Sequence, residues 1–277
     1  MTGRPFTYAA LATALLVWAA GASAQDGLFD ISEDDRNTFL DLGGAVVSRA
    51  AYVGSEETDT DVFPYLAFEY EGRVFGNAAQ GLGVNLINRD GLQVAATGFY
   101  ASGRDTNDTP FSGEVTTPEL EEAFDLGSSF TAGGLVSYRF PYAQAELQAQ
   151  VPVTGDVEGW RLDASLATRI PPLEKMLGEG TIIAPGVRAT YLDDEWTESY
   201  YGVTTAQAVA AGLPVGYDAD GGFNSYSLFG LTSITLASDI TLVGVANYTF
   251  LAGDAKDSPL SPDNNGLTLV AGIAKRF

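Results

Sequence analysis

The strongest constraint on this chain is a period of two that recurs from segment to segment. In residues 142–152, YAQAELQAQVP, Ala143, Ala145, Leu147, Ala149 and Val151 share one face of an extended chain, while Gln144, Glu146, Gln148 and Gln150 share the other. Leu162, Ala164 and Leu166 oppose Arg161, Asp163, Ser165 and Arg169 in the same way. Residues 126–140, 240–251 and 266–277 repeat the pattern, the last carrying Leu267, Leu269, Ala271, Ile273 and Phe277 on one face. A soluble sandwich turns the apolar face inward. A transmembrane barrel inverts this, with the apolar face toward lipid and polar or small residues in the lumen. The alternating segments exceed the roughly 5 to 6 residues usual in soluble strands and suffice for a tilted membrane crossing. Aromatics at segment ends (Phe99, Tyr100, Tyr138, Phe140, Tyr142, Tyr191, Tyr248, Phe250) suit an interfacial girdle. The expected fold is therefore all-β: a transmembrane, antiparallel up-and-down barrel.

Connections alternate between short (70–72, 89–91, 141, 238–239) and long (51–60, 102–125, 193–222, 252–264). Short turns belong on the periplasmic side and long loops outside, which gives about twelve strands, with ten possible; 72–88 read as one bent strand would leave an odd eleven, so parity favours two strands there. Both termini then face the periplasm. Ahead of the barrel, Arg4, the apolar run Ala9–Ala20 and Ala22-Ser23-Ala24 compose a secretory signal peptide cut near Ala24-Gln25. Residues 25–38 read as a flexible acidic periplasmic lead-in, and 39–277 as the barrel in the outer membrane of a Gram-negative cell.

Composition removes several functions. There is no His and no Cys, so imidazole acid–base chemistry, thiolate nucleophiles, disulfides and Cys-ligated metals are all excluded. With 36 acidic and 14 basic residues, the net charge of -22 repels phosphate backbones and argues against nucleic acid as a partner. No phosphate-binding loop or dinucleotide fingerprint occurs, and the expectation is a protein that is not an enzyme and needs no cofactor or metal. Outer-membrane lipid and lipopolysaccharide are the partners that the fold itself implies.

Three sets of residues remain as candidates. Arg139, Arg161, Arg169 and Arg188, with Glu69, Glu146 and Asp163, fall on the lumenal face. They make either a selective constriction or a plug of mutually paired charges. In the periplasmic connection IPPLEKMLGE, Leu173, Met176 and Leu177 sit at helical spacing, and either dock a partner or cover the lower rim. Loop 193–222 contains a short helix that Thr204 or Thr205 caps and Gly212 ends, and could lid the barrel mouth. Its segment Asp218–Gly222 looks like part of a calcium loop but lacks the later ligands.

The same loop carries the most specific family signal. Tyr200-Tyr201-Gly202-Val203, followed by Gly212-Leu213 and Tyr217, resembles the YYGV…SGL…Y pattern of the MipA/OmpV family of outer-membrane proteins. Tyr248 through Pro259 and Asp61 through Gly72 resemble two further family stretches, and Phe277 matches its terminal aromatic. The resemblance spans about residues 40–277. It implies an outer-membrane barrel and, for the best-known branch, a scaffold joining a lytic transglycosylase to a bifunctional murein synthase. The expected function is thus a cell-envelope interaction protein, with a small porin of charged lumen as the alternative.

Overall fold

The computed structural model describes residues 38–277 except 79, 102–103, 106–112, 115–125, 179, 214 and 238. The signal peptide and residues 25–37 of the lead-in lie outside the described residues; Thr38 already belongs to the first strand. Twelve strands close an antiparallel barrel in which every sequence neighbour is also a ladder neighbour. They are β1 (Thr38–Ala50), β2 (Thr58–Tyr70), β3 (Val74–Asn77), β4 (Gly81–Arg89), β5 (Leu92–Ala101) and β6 (Ser129–Arg139). After them come β7 (Ala143–Pro152), β8 (Arg161–Thr168), β9 (Thr181–Leu192), β10 (Gly222–Ala237), β11 (Ile240–Leu251) and β12 (Asn265–Arg276). In the loop after β5, Arg104–Asp105 and Gly113–Glu114 form a small parallel pair. Residues 72–88 do contain two strands, not one bent strand, so the even count holds.

Burial follows the alternation in the membrane sense. Gln144, Glu146, Gln148 and Gln150 are buried, whereas Leu147 and Val151 on the opposite face of β7 are exposed. Ser165 is likewise buried beside exposed Leu166, and Arg188 beside exposed Val187. Only a closed sheet leaves no lipid-facing edge, so an apolar exterior around a polar interior is a membrane barrel. No helix among the described residues is long and apolar enough to cross a membrane; the strands cross instead. Aromatic pairs mark both rims, with Tyr138–Phe140 at one and Trp160–Tyr191 and Tyr248–Phe250 at the other. Phe99, expected in the girdle, instead points inward and is buried.

Tight turns occupy the end that carries both termini. The β2–β3 turn puts Glu71 and Gly72 at φ 51° and 64°, and the β4–β5 turn puts Asp90 and Gly91 at 54° and 78°. Positive φ at both central residues is the two-residue hairpin geometry that matches strand twist. By the outer-membrane rule this end faces the periplasm. The barrel seam closes there, where Arg276 Nε and Nη2 donate to the two Asp41 carboxylate oxygens at 2.8 and 2.7 Å and the guanidinium lies 4.5 Å from the Phe39 ring.

The interior has two unlike walls. From β5 to β9 it carries many polar side chains (Thr97, Ser137, Gln148, Asp163, Thr190), whereas β1, β2, β11 and β12 contribute the apolar clusters around Val270 and Tyr65, and Phe229 and Leu231 of β10 pack with Ala167, Ile182 and Ala184 near the ends of β8 and β9. One connection on the periplasmic side is helical: α1 (Pro171–Leu177). The outer end carries α2 (Asp194–Tyr201), α3 (Thr205–Ala210) and α4 (Gly253–Asp257). The sequence pointed to α1 and α3; α2 and α4 are short and obey no clear apolar period.

Candidate functional site

At the periplasmic rim, β8 stops short and α1 takes its place against β9. Ile170 N donates to Ile183 O at 3.0 Å, and Pro171 and Pro172 then start the helix, where a missing N–H costs nothing. Glu174, the buried residue of α1, turns back into the barrel. Arg169 Nε and Nη2 donate to its two oxygens at 3.1 and 3.0 Å, and Ile183 N donates to Oε1 at 3.1 Å. Glu174 is thus the pin of the helix, a role invisible in the sequence. Leu173, Met176 and Leu177 remain exposed, Met176 at 82%.

Inside the barrel, four of the expected lumen charges meet. Glu146, Ser165 and Arg188 stand side by side on β7, β8 and β9, one row from Gln148, Asp163 and Thr190. Arg161 Nε and Nη2 donate to Asp163 at 2.6 and 2.8 Å, and Thr190 Oγ1 donates to the same carboxylate at 2.7 Å. Arg188 interacts electrostatically with both Asp163 and Glu146. The remaining three lie elsewhere. Arg139 is exposed at the periplasmic end of β6, where the inward face runs out beyond the packed interior. Arg169 is taken by Glu174, and Glu69 sits partly exposed near the periplasmic end of β2. There is accordingly no continuous lumenal row of arginines. Alternation gives the face of a residue but not its depth.

The outer cap explains the family motifs. Asp193 caps α2, accepting from Trp196 N at 3.0 Å, and Thr204 forms a capping box with Gln207 on α3. Tyr201 is buried; the backbone of Val203 pairs with that of Tyr217 in both directions, at 2.8 and 2.7 Å. Tyr200 stacks on Trp196, a Cβ on Gly202 would collide with Glu198, and Gly212 holds φ +69° beyond α3. Leu213 packs with Val203, Ala208 and Leu260. The second family stretch arrives from the adjoining outer loop: Ser258 Oγ donates to Tyr201 O at 2.6 Å, and Tyr217 OH donates to Asp254 O at 2.8 Å. Two motifs some forty residues apart therefore knit one lid. Their conspicuous residues build its core and hydrogen bonds.

Beside the lid lies a cavity of about 610 Å³ with many carboxylates in its lining. Asp156, Asp194 and Glu198 accept backbone N–H groups from Gly127, Gly221 and Ala219 at 3.1, 2.8 and 2.8 Å. The calcium-like segment 218–222 is used the same way, with Asp220 N donating to Asp254 Oδ2 at 2.9 Å. Among the described residues no group of three or more carboxylates converges as metal ligands would.

Burial, reinforced by Asp254, Asp257 and Asp220, pushes the Tyr217 phenol above its ordinary value. A raised phenol pKa contributes stability that is complete below about pH 10 and lost as pH climbs through the folded value. Fluorescence of Trp196, in the apolar cluster against which Tyr217 packs, should report this loosening of the lid above about pH 10. In Tyr217→Phe the alkaline transition should disappear; its persistence would assign it to another group.

Residues 42–277 match the sequence model of the family described as MltA-interacting protein MipA. The MltA-interacting protein of Escherichia coli K12 is 24% identical over 95% of this chain and 96% of its own length. YiaT of the same organism, whose name places it in the outer membrane and gives no partner, is 23% identical over 86% of this chain and 91% of its own. Neisserial surface protein A aligns over 87% of this chain and 98% of its own at 9% identity, with a TM-score of 0.23. So loose a superposition leaves the barrel assignment to rest on the strand ladder. The ladder, the lid that the motifs build and a family match over nearly the whole barrel agree: this chain belongs to the MipA family of outer-membrane β-barrels.

Proposed function

We propose that this barrel is a non-enzymatic scaffold of the cell envelope that holds murein enzymes, a lytic transglycosylase and a murein synthase, against the periplasmic face of the outer membrane. The observation that carries this reading is α1, a pinned helix that presents Leu173, Met176 and Leu177 to the periplasm. A contiguous exposed apolar patch on a soluble face is a feature that interaction sites share. The name of the Escherichia coli relative, MltA-interacting protein, supports a partner of the transglycosylase class. An export signal at 1–24 and contact with lipopolysaccharide at the outer rim belong to the same reading. The porin alternative needs an open passage, whereas Arg161, Asp163, Arg188 and Glu146 lie together as a compact polar network within the barrel.

Replacing Leu173, Met176 and Leu177 together with Ser should abolish co-purification of murein enzymes. The strands do not need these side chains, so the variant should still migrate as a folded, heat-modifiable barrel. Undiminished co-purification from that folded variant would sink the docking reading.

A further inference from the structure

The β3–β4 hairpin is the short member of the wall. β3 has four residues, and it pairs with β2 only over Phe68–Tyr70. Its inner side chains reach along the inner wall to strands two or more places away. Phe75 packs on Ala95 and Leu135, from the inner faces of β5 and β6. Gln80, at the hairpin tip and 4% exposed, donates from Nε2 to Glu146 Oε2 on β7 at 2.9 Å. From β4 to β7 is three interstrand spacings, about 14 Å of wall, so this bond is a chord across the barrel and not a contact between neighbours.

The tip is preset for that contact. Asn77 Oδ1 accepts from Gln80 N at 2.7 Å, and Asn77 Nδ2 donates to Gln80 Oε1 at 3.4 Å, which leaves the Gln80 NH2 group aimed at Glu146. Gly81, at φ +75°, provides the bend where the tip joins β4. A hairpin with so little ladder is among the first parts of a sheet to open.

We propose that the Gln80–Glu146 hydrogen bond is a latch that holds the β3–β4 tip folded into the lumen, and that the closed barrel is a latent channel for small ions. Around the latch, Arg161 and Arg188 balance Asp163 and Glu146. Release by Gln80→Ala therefore opens a passage with little charge preference. Glu146→Ala opens it and leaves one excess positive charge, so that pore favours anions. Glu146→Gln keeps an oxygen that accepts from Gln80, and this variant stays mostly shut.

The test is single-channel recording in planar bilayers with barrels extracted folded from membranes, each variant first shown to be heat-modifiable. Wild type should be silent, Gln80→Ala and Glu146→Ala should give reproducible unitary steps, and the reversal potential of Glu146→Ala should shift toward the anion. The chain has no cysteine, so Q80C/E146C introduces a unique thiol pair. This variant should conduct before, and fall silent after, bridging by a bifunctional thiol reagent of side-chain length. Silence from folded Gln80→Ala, wild-type steps equal to those of Gln80→Ala, or undiminished current after bridging would each overturn the latch. None of these outcomes bears on α1, so the scaffold reading stands or falls separately.

Discussion

Asp163→Ala should lower the unfolding free energy of the barrel by about 3 to 5 kcal/mol, the cost typical of removing one partner from a buried ion pair. The carboxylate receives two bonds from Arg161 and one from Thr190, with Arg188 nearby, so its loss leaves the Arg161 guanidinium without its acceptor and Arg188 with Glu146 as its remaining carboxylate here. Urea titration followed by heat-modifiability measures the shift in midpoint. Asp163→Asn, which keeps an oxygen for the Thr190 hydroxyl, should lose less. Replacing the pair together by Arg161→Met and Asp163→Leu should recover most of the stability, because apolar substitution of a whole buried pair is often neutral. A single Ala variant with an unchanged midpoint would mean that water already solvates these charges, and the lumen would have to be wet at that depth.

Glu174→Ala should separate the display of the apolar helix from its chemistry. The substitution leaves Leu173, Met176 and Leu177 in place but removes the bonds to Arg169 and Ile183 N. Hydrogen bonds to a charged group contribute about 1.5 to 3 kcal/mol each way they are measured. Losing that anchoring lowers the equilibrium constant for docking of the helix on the rim by roughly ten- to a hundredfold. Co-purification of murein enzymes should fall accordingly, and protease cleavage within 170–179 should accelerate, with the global urea midpoint nearly unmoved. Glu174→Gln should recover part of the effect, since its oxygen still accepts from Ile183 N but the charge pair with Arg169 is gone. Full partner capture by Glu174→Ala, together with fast cleavage, would show that a pinned helix is not what the partner recognises.

What was legible in the linear chain was whatever depends on near neighbours. Side-chain direction along a strand alternates by stereochemistry, so YAQAELQAQVP already distinguishes the lipid side from the lumen side. Tight turns need positive φ at fixed positions, so Arg89-Asp90-Gly91 marks a hairpin and, through parity, an even strand count. Capping needs a hydroxyl just before the helix and a glycine after it, so Thr204 or Thr205 with Gly212 announces α3, and the structure selects Thr204 and adds Gln207 to the box. The depth of Arg139, the pinning of α1 by Glu174 and the bond from Gln80 to Glu146 were not legible. They depend on how far each strand is staggered when the sheet closes on itself, a property of all twelve strands at once. The two outer-loop motifs were visible as words, but only the packing of adjoining loops brought Ser258 to the Tyr201 carbonyl and Tyr217 to Asp254. By itself the sequence determined an outer-membrane barrel, its inside and its outside, because those follow from a period of two. The tertiary structure decided which charges are partners, which loop residues are core and which inner side chains meet, because those pairings depend on strand register and depth, on how the outer loops pack and, for Asp41 with Arg276, on closure of the ring.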